Sequence, residues 1–227
     1  DLQNIQSNLA YKALILVARS WPKRNWHVHF SDHIDGLFVH QRLGSPPTPT
    51  YNFRTSSLHI NDDWIKTMDD FVYAFKYVVY QMIEDGVTST ELRFNPYKRF
   101  ISEDHHIRLN QIELLLGRLF EATQTVIQDY DKNISSQART FGFTFSLNRR
   151  KYGRDNPQQL IDIINNLIEI KQNTADPHMN KTLHAIDICG GEILDWEWDG
   201  TQRTKWGIKL FKTLNRAYRA GYEIITH

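Results

Sequence analysis

The sequence predicts an α/β fold in which parallel strands are connected by helices. Short runs rich in β-branched and aromatic residues alternate with longer segments whose apolar residues recur every three or four positions. This alternation indicates a parallel sheet with crossover helices. An open doubly wound sheet and a (β/α) barrel both satisfy it. No G-x-G-x-x-G turn follows a strand, which disfavours the dinucleotide-binding form of the open sheet.

Five segments have the composition and the flanking turn residues of strands. A (β/α) barrel needs eight strands and typically about 250 residues, so a barrel with these five strands would be incomplete. The predicted strands are residues 26–30, 89–96, 140–148, 183–190 and 222–227.

The segments between these strands carry helix signals. Asp62 and Asp63 stand where an N-cap and a first-turn acid are expected. Asn156 followed by Pro157 predicts the start of a later helix, and Gly221 predicts the end of the last one. Apolar faces are predicted at Trp64, Met68, Phe71, Phe75, Val78 and Met82 in the first helix and at Ile112, Leu115, Leu116, Leu119, Phe120, Thr123 and Val126 in the second.

The bulk composition argues against several classes of protein. Lys and Arg number 27 against 26 Asp and Glu, a formal net charge of +1 that gives no general attraction to nucleic acids or anionic membranes. No apolar run approaches the roughly 20 residues of a membrane span. Cys189 is the only cysteine, which excludes an internal disulfide and predicts a cytoplasmic location.

The ends of the chain suggest one partial domain over residues 1–227, a piece of a longer protein. The chain opens on Asp1 without an initiator methionine and closes on His227 without a tail. A stretch rich in Pro and Thr that begins at Gly44 predicts an insertion loop near residues 44–60.

Two histidines one residue apart are the strongest chemical signal. On a strand, His27 and His29 would lie on one face, with Val28 on the other. Two neutral imidazoles at that spacing can bind one divalent metal ion, although a hydrogen-bonded pair without metal is equally consistent with the motif. His227 ends another predicted strand, and in a barrel the carboxyl-terminal strand ends surround one site. Three such histidines would form an open zinc site.

Four segments in order, "HVHF", "ELRFNP", "AIDICGGE" and "AGYEIITH", resemble the adenosine and AMP deaminase family of metal-dependent amidohydrolase barrels. The resemblance implies a (β/α)8 TIM-barrel fold, with about the first five strands present in this chain. It implies hydrolytic deamination of adenosine or an adenine nucleotide to the inosine form, with one zinc ion per site. The metal ligands by resemblance are His27, His29 and His227, and the backbone N–H of Gly190 would bind the purine.

The chain also departs from the family's pattern. The catalytic Glu of the family lies three residues beyond the position of His227, and a later His and an Asp ligand follow it, so no catalytic residue is assigned here. Ser31 stands where the family has an Asp near the ribose, and Asp32 is a candidate substitute, so both are predicted to bind substrate. Replacing that carboxylate would relieve repulsion against a 5′-phosphate.

Several other residues receive predictions by position. Glu91 and Arg93 match the family's E-x-R second strand and are predicted to be a buried structural pair. His184 is predicted to face the surrounding helices. The basic residues Arg149 and Arg150 follow a strand end, where they would either hold a phosphate or be solvated loop charges; the second is preferred.

Two alternatives to an adenine deaminase remain open. One is another metal-dependent amidohydrolase; the two-metal types often use a fourth-strand lysine, which is absent here. The other is a non-catalytic, deaminase-like scaffold subunit. The expected partners are a purine nucleoside or nucleotide, without membrane or nucleic acid. Homo-oligomers are expected, including large assemblies of the kind formed by deaminase-like proteins of anti-phage defence.

Overall fold

Strands and helices alternate along the chain, as the apolar patterns predict. The computed structural model describes residues 23–29, 67–99, 105–133, 139–150, 156–190, 197 and 201–226. The predicted insertion loop near residues 44–60 lies outside them. The strands are β1 (Lys23–His29), β2 (Val87–Phe94), β3 (Thr140–Asn148), β4 (Leu183–Cys189) and β5 (Glu223–Thr226). The helices are α1 (Met68–Glu84), α2 (Pro96–Arg99), α3 (His105–Asn133), α4 (Pro157–Asn173), α5 (Pro177–Thr182) and α6 (Lys205–Arg219).

The order of the strands distinguishes between the two predicted architectures. The five strands form one sheet in the order β1-β2-β3-β4-β5, and every neighbouring pair is parallel. A doubly wound sheet reverses its order at a switch point, and the described strands contain no such reversal. Right-handed crossovers between strands in sequential order place the helices on one face, as in a barrel. The α/β class is confirmed, and the sheet is consistent with part of a barrel.

The hydrophobic core lies between the sheet and helices α1, α3, α4 and α6. Phe94 of β2 and Phe143 of β3 point to this side, with ring centroids 5.6 Å apart. Phe75 of α1 packs against Phe143 edge-to-face at 5.3 Å. Such pairs contribute about 0.5–1.5 kcal/mol beyond the burial of their area. The predicted apolar face of the second long helix is confirmed, with Ile112, Leu115, Leu116, Leu119, Thr123 and Val126 buried in α3.

Helix α1 begins later than the sequence signals predict. Its N-cap is Thr67, whose side-chain oxygen accepts a hydrogen bond from the Asp70 N–H at 3.1 Å. Asp70 Oδ2 accepts one from the Thr67 N–H at 3.1 Å, which completes a capping box. The predicted cap at Asp62 lies outside the described residues, and the cap that α1 uses is Thr67. The prediction rested on the acidic pair Asp62 and Asp63. The reciprocal arrangement of Thr67 and Asp70 satisfies two backbone N–H donors, whereas one capping side chain would satisfy a single donor.

Two other predicted helix boundaries agree with the structure. Asn156 is the N-cap residue of α4 and Pro157 its first residue, although the Asn156 side chain makes no capping hydrogen bond. Gly221 follows the C-cap of α6 with φ 94°, a conformation that glycine adopts at little cost. None of the described helices has both the length and the apolar character that crossing a membrane requires.

Candidate metal centre and the inner face of the sheet

The face of the sheet opposite the core is called the inner face here and carries Arg93, Thr144 and Asp187. Residues paired across a parallel ladder share a face, and Arg93 of β2 pairs with Thr144 of β3. Ser146 of β3 pairs with Asp187 of β4. The carboxyl-terminal ends of parallel strands lie at the same end of a sheet, which is where α/β folds bind ligands. A ligand-binding site is therefore expected on the inner face near these strand ends.

The two predicted first-strand histidines lie at the carboxyl-terminal end of β1. His29 is the last residue of β1 and pairs with Arg93, and Val28 pairs with Leu92. The register shifts between Asn25 and Val28, where three steps along β1 match two along β2. Simple alternation is therefore interrupted within the interval that contains His27. Whether His27 and His29 share a face stays a prediction.

The remaining predicted site residues divide into two groups. Gly190 is described and follows the last residue of β4 directly. His227 follows Thr226, the last residue of β5, and lies outside the described residues, as do Ser31 and Asp32. In the strand order, β1 and β5 are the two edge strands of the described sheet. Only curvature of the sheet, as in a barrel, would bring their ends to one centre.

Gly190 occupies a position that requires glycine. Its φ is +115°, which L side chains rarely adopt. A Cβ at this position would lie 2.5 Å from Asn148 Oδ1, far inside a normal contact. Next to it, Cys189 Sγ and Ser146 Oγ are 3.2 Å apart and share a hydrogen bond. The Asn148 side chain thus occupies the space that a side chain at position 190 would need.

Arg93 and Asp187 form a buried ion pair on the inner face. Arg93 Nη2 lies 3.2 Å from Asp187 Oδ2, and their side chains are 2% and 0% exposed. The pair joins β2 to β4 across β3. Arg93 was predicted to belong to a buried pair, and this is correct, but its partner is on another strand and not Glu91. The partner of Arg93 depends on the register between strands, and the E-x-R motif contains no information about that register.

Glu91, His184 and Glu223 form a second polar cluster on this face. His184 Nε2 lies 3.2 Å from Glu91 Oε1 and 3.2 Å from Glu223 Oε2. The three groups belong to β2, β4 and β5, and one ligand atom from each lies within 4.8 Å of the others. His184 was predicted to face the helices, and that prediction is wrong. The cluster was missed because its members are far apart in sequence.

A register shift accounts for the direction of His184. Leu183 pairs with Phe143 and Ala185 pairs with Thr144, so β4 has one more residue than β3 across this step. Such a bulge re-aims a side chain. The imidazole then lies over Gly142, where an added Cβ would be 3.1 Å from His184 Cβ. Gly142 pairs with Glu91, so the missing side chain leaves space for His184 to reach that carboxylate. Gly142 in an apolar strand was the available sequence signal.

The basic run after β3 is partly neutralised. Arg149 Nη1 donates to Glu197 Oε2 at 3.1 Å, and the two side chains are 18% and 12% exposed. Burial raises the pKa of Glu197 above its ordinary value, and Arg149 opposes that shift. Arg149 is therefore a structural ion-pair partner and not a solvated loop charge. A phosphate would have to compete with Glu197 for it.

Comparison with known sequences finds no matching family model and no matching curated protein. Comparison with solved structures finds an amidohydrolase, an N6-mAMP deaminase and a protein named ADAL, all at low sequence identity. Arabidopsis ADAL complexed with GMP has a TM-score of 0.55 at 14% identity, covering 93% of this chain and 59% of that one. The Arabidopsis N6-mAMP deaminase has a TM-score of 0.53 at 13% identity, covering 93% and 60%.

An amidohydrolase from Burkholderia ambifaria with bound Zn has a TM-score of 0.50 at 15% identity, covering 92% of this chain and 52% of that one. The chain thus spans between about half and three fifths of the length of these structures. At such identities the likeness shows the fold alone, and that fold is consistent with part of a (β/α) barrel.

Proposed function

We propose that the protein containing this chain is a zinc-dependent deaminase of adenosine or an adenine nucleotide, which produces the inosine form. One observation carries the proposal. The parallel sheet has strands in sequential order, so that the ends of β1, β4 and β5, with His29, Gly190 and His227 at or next to them, lie at the same end of the sheet. The fold shared with nucleotide deaminases supports it.

The proposed metal ligands are His27, His29 and His227. Three imidazole nitrogens with one open position suit zinc better than magnesium or calcium. The pairing of His29 with Arg93 supports a position on the inner face, and one further residue in extended conformation after Thr226 would put His227 on the face of Ile225. Zinc held there would lower the pKa of a bound water to about 7 and so supply hydroxide at neutral pH.

The buried Arg93–Asp187 pair has a proposed positioning role. Arg93 lies beside His29 in the ladder, where an uncompensated positive charge would oppose binding of a cation. Asp187 balances that charge at 3.2 Å and ties β2 to β4. The pair would therefore keep the strand ends in place without reducing the affinity for a metal ion.

The proposed role of Gly190 is to present its backbone N–H to the purine ring. The positive φ disfavours any larger residue, and a Cβ at this position would lie only 2.5 Å from Asn148 Oδ1. A purine can approach a backbone without a side chain closely enough to form a hydrogen bond. Ser31 and Asp32 are proposed to lie near the ribose, where Ser31 in place of a carboxylate would tolerate a 5′-phosphate. Nucleoside monophosphates are therefore the first substrates to test.

The test uses the intact protein that carries this chain, because the resemblance places the catalytic Glu beyond His227. Zinc content and the change in adenine absorbance would be measured with adenosine, AMP, N6-methyl-AMP and ATP. We expect turnover of at least one substrate, and the loss of turnover and of one zinc equivalent in His27→Ala. His178→Ala is the matched control, because His178 is exposed on α5, which leads into the amino-terminal end of β4 and not the carboxyl-terminal end.

The outcomes separate the alternatives. Zinc lost in His27→Ala without turnover of any substrate in the parent would reject the deaminase and favour the scaffold subunit or another amidohydrolase. Turnover that survives His27→Ala would reject the proposed ligands.

A further inference from the structure

We infer that Glu91, His184 and Glu223 form a second metal site, which binds a divalent transition-metal ion on the inner face of the sheet. The site is separate from the proposed zinc centre. His184 is the second residue of β4 and Glu223 the first residue of β5, so these ligands lie toward the amino-terminal ends of their strands. The inference does not rest on the proposed function.

The spacing of the three ligand atoms fits a metal ion. Zinc binds imidazole nitrogen and carboxylate oxygen at about 2.0–2.2 Å, so two ligands in a tetrahedral site are about 3.3–3.5 Å apart. His184 Nε2 lies 3.2 Å from one oxygen of Glu91 and one of Glu223. All three atoms fall within 4.8 Å of one another. An ion between them would change the two imidazole–carboxylate distances by only a few tenths of an ångström.

The donor set suits the charge of the ion. Two carboxylates balance a divalent cation, and an imidazole selects transition ions over magnesium and calcium. Without an ion, Nε2 carries at most one proton and would have to share it between Glu91 and Glu223. A cation between the three groups satisfies both carboxylates at once.

Two features of the backbone build this cluster. The bulge in β4 turns His184 to the inner face. Gly142, on the intervening strand β3, leaves space for the imidazole to reach Glu91 on β2. Strands two apart are separated by about 9–10 Å in a sheet, so a side chain at residue 142 would stand between the two groups. Both features are local departures from regular strand structure, and both allow the contact between His184 and Glu91.

The cluster is accessible to an ion and to a further ligand. The side chains of Glu91, His184 and Glu223 are 25%, 38% and 61% exposed. His184 also lines a cavity of about 590 Å³, together with Lys181 and Gly221. Three protein ligands leave one coordination position for water or a small ligand.

The inference is tested by zinc binding to the intact protein after removal of metal with a chelator. Zinc equivalents and affinities would be measured by titration calorimetry, and the zinc-dependent rise in Tm by thermal unfolding. Glu223→Gln should lower the zinc affinity of this site by at least about a hundredfold, so that one zinc equivalent is no longer bound. The reason is that even residues that only hydrogen-bond to a metal ligand contribute about 10–100-fold to metal affinity. Glu169→Gln, at an exposed position of α4, is the matched control and should keep both equivalents.

A second variant tests the geometry without removing a ligand. Gly142→Ala should push the His184 ring away from Glu91 and weaken the same equivalent by about tenfold or more. Equal zinc affinities in Glu223→Gln and Glu169→Gln would overturn the inference. Two equivalents in the parent, one lost in Glu223→Gln and the other in His27→Ala, would support both sites. One equivalent lost only in His27→Ala would keep the proposed function and reject this site; one lost only in Glu223→Gln would do the reverse.

Discussion

The two faces of the sheet are built on different principles. The helix-facing side of β2 and β3 carries Leu92, Phe94, Phe143 and Phe145, all buried in one apolar cluster. The inner face of β2 carries Glu91 and Arg93 at the intervening positions, and both have partners on β4. Contacts on the first face are non-directional and scale with buried area. Contacts on the second depend on pairs of atoms about 3 Å apart.

This difference determines how each face responds to change. An apolar face keeps most of its stabilisation when residues of similar volume are exchanged. A polar face loses several kcal/mol of stability when one member of a buried ion pair is removed, because the charge of the other member is then left without its counter-charge. The bulge at His184 shows how specific the inner face is, since without the extra residue His184 would point toward the helices.

The largest expected effect is on the helix-facing side. Phe143→Ala removes a fully buried ring that contacts Phe75 and Phe94 edge-to-face. We expect the free energy of unfolding to fall by about 4–5 kcal/mol, because a cavity is left and two ring contacts are lost. Denaturant unfolding measures it. The control is Leu114→Ala, which removes a side chain that is 59% exposed and should cost under about 0.5 kcal/mol. Equal losses in the two variants would contradict a packed core at Phe143.

The second-largest expected effect is a loss of stability on the inner face, where Arg93 and Asp187 form an ion pair. Asp187→Leu leaves Arg93 buried without its 3.2 Å partner and should cost about 3 kcal/mol. We choose the lower end of the usual range because Glu91, two residues before Arg93 on the same face, offers another carboxylate. The double variant with Arg93→Leu should recover most of the loss. Strictly additive losses in a double-mutant cycle would show that the two groups are not coupled.

The smallest effect tests a charge placed on the helix side. Lys171 of α4 is 5% exposed, and burial lowers its pKa from 10.5 to about 8. Between about pH 8 and 10.5 the unfolded chain keeps this proton while the folded protein loses it, so stability should rise with pH there. Since Lys171 Nζ donates to the carbonyls of Asn180 and Leu183, which favours the charged form, we expect a rise of only about 1–2 kcal/mol.

The measurement is the free energy of unfolding across that pH range, compared with Lys171→Met. The variant should lack this contribution, so that between pH 8 and 10.5 its stability should rise less, or fall more, than that of the parent. A parent profile that falls from pH 8 to 10.5 as steeply as that of the variant would contradict the lowered pKa of Lys171.

The sequence by itself determined where the strands and most of the helices lie. Strand β3 has the predicted bounds, Thr140–Asn148, and Asn156 and Gly221 mark helix boundaries as expected. These features are local, because the period of apolar residues reflects which side of each element is buried. The N-cap of α1 was misplaced because several polar residues near one another can cap, and the structure uses the pair that satisfies more donors.

The tertiary structure alone decided which polar groups meet. Arg93 finds Asp187, and His184 finds Glu91 and Glu223, across separations of about 40 to 90 residues that no local pattern encodes. Strand order and register set these contacts, and a one-residue shift reverses the face on which a side chain lies. The histidine motif of β1 predicts a kind of chemistry from sequence. The proposed metal centre also needs His227 after β5, and β1 and β5 stand at opposite edges of the five described strands. Only curvature of the whole sheet would bring these two edges together.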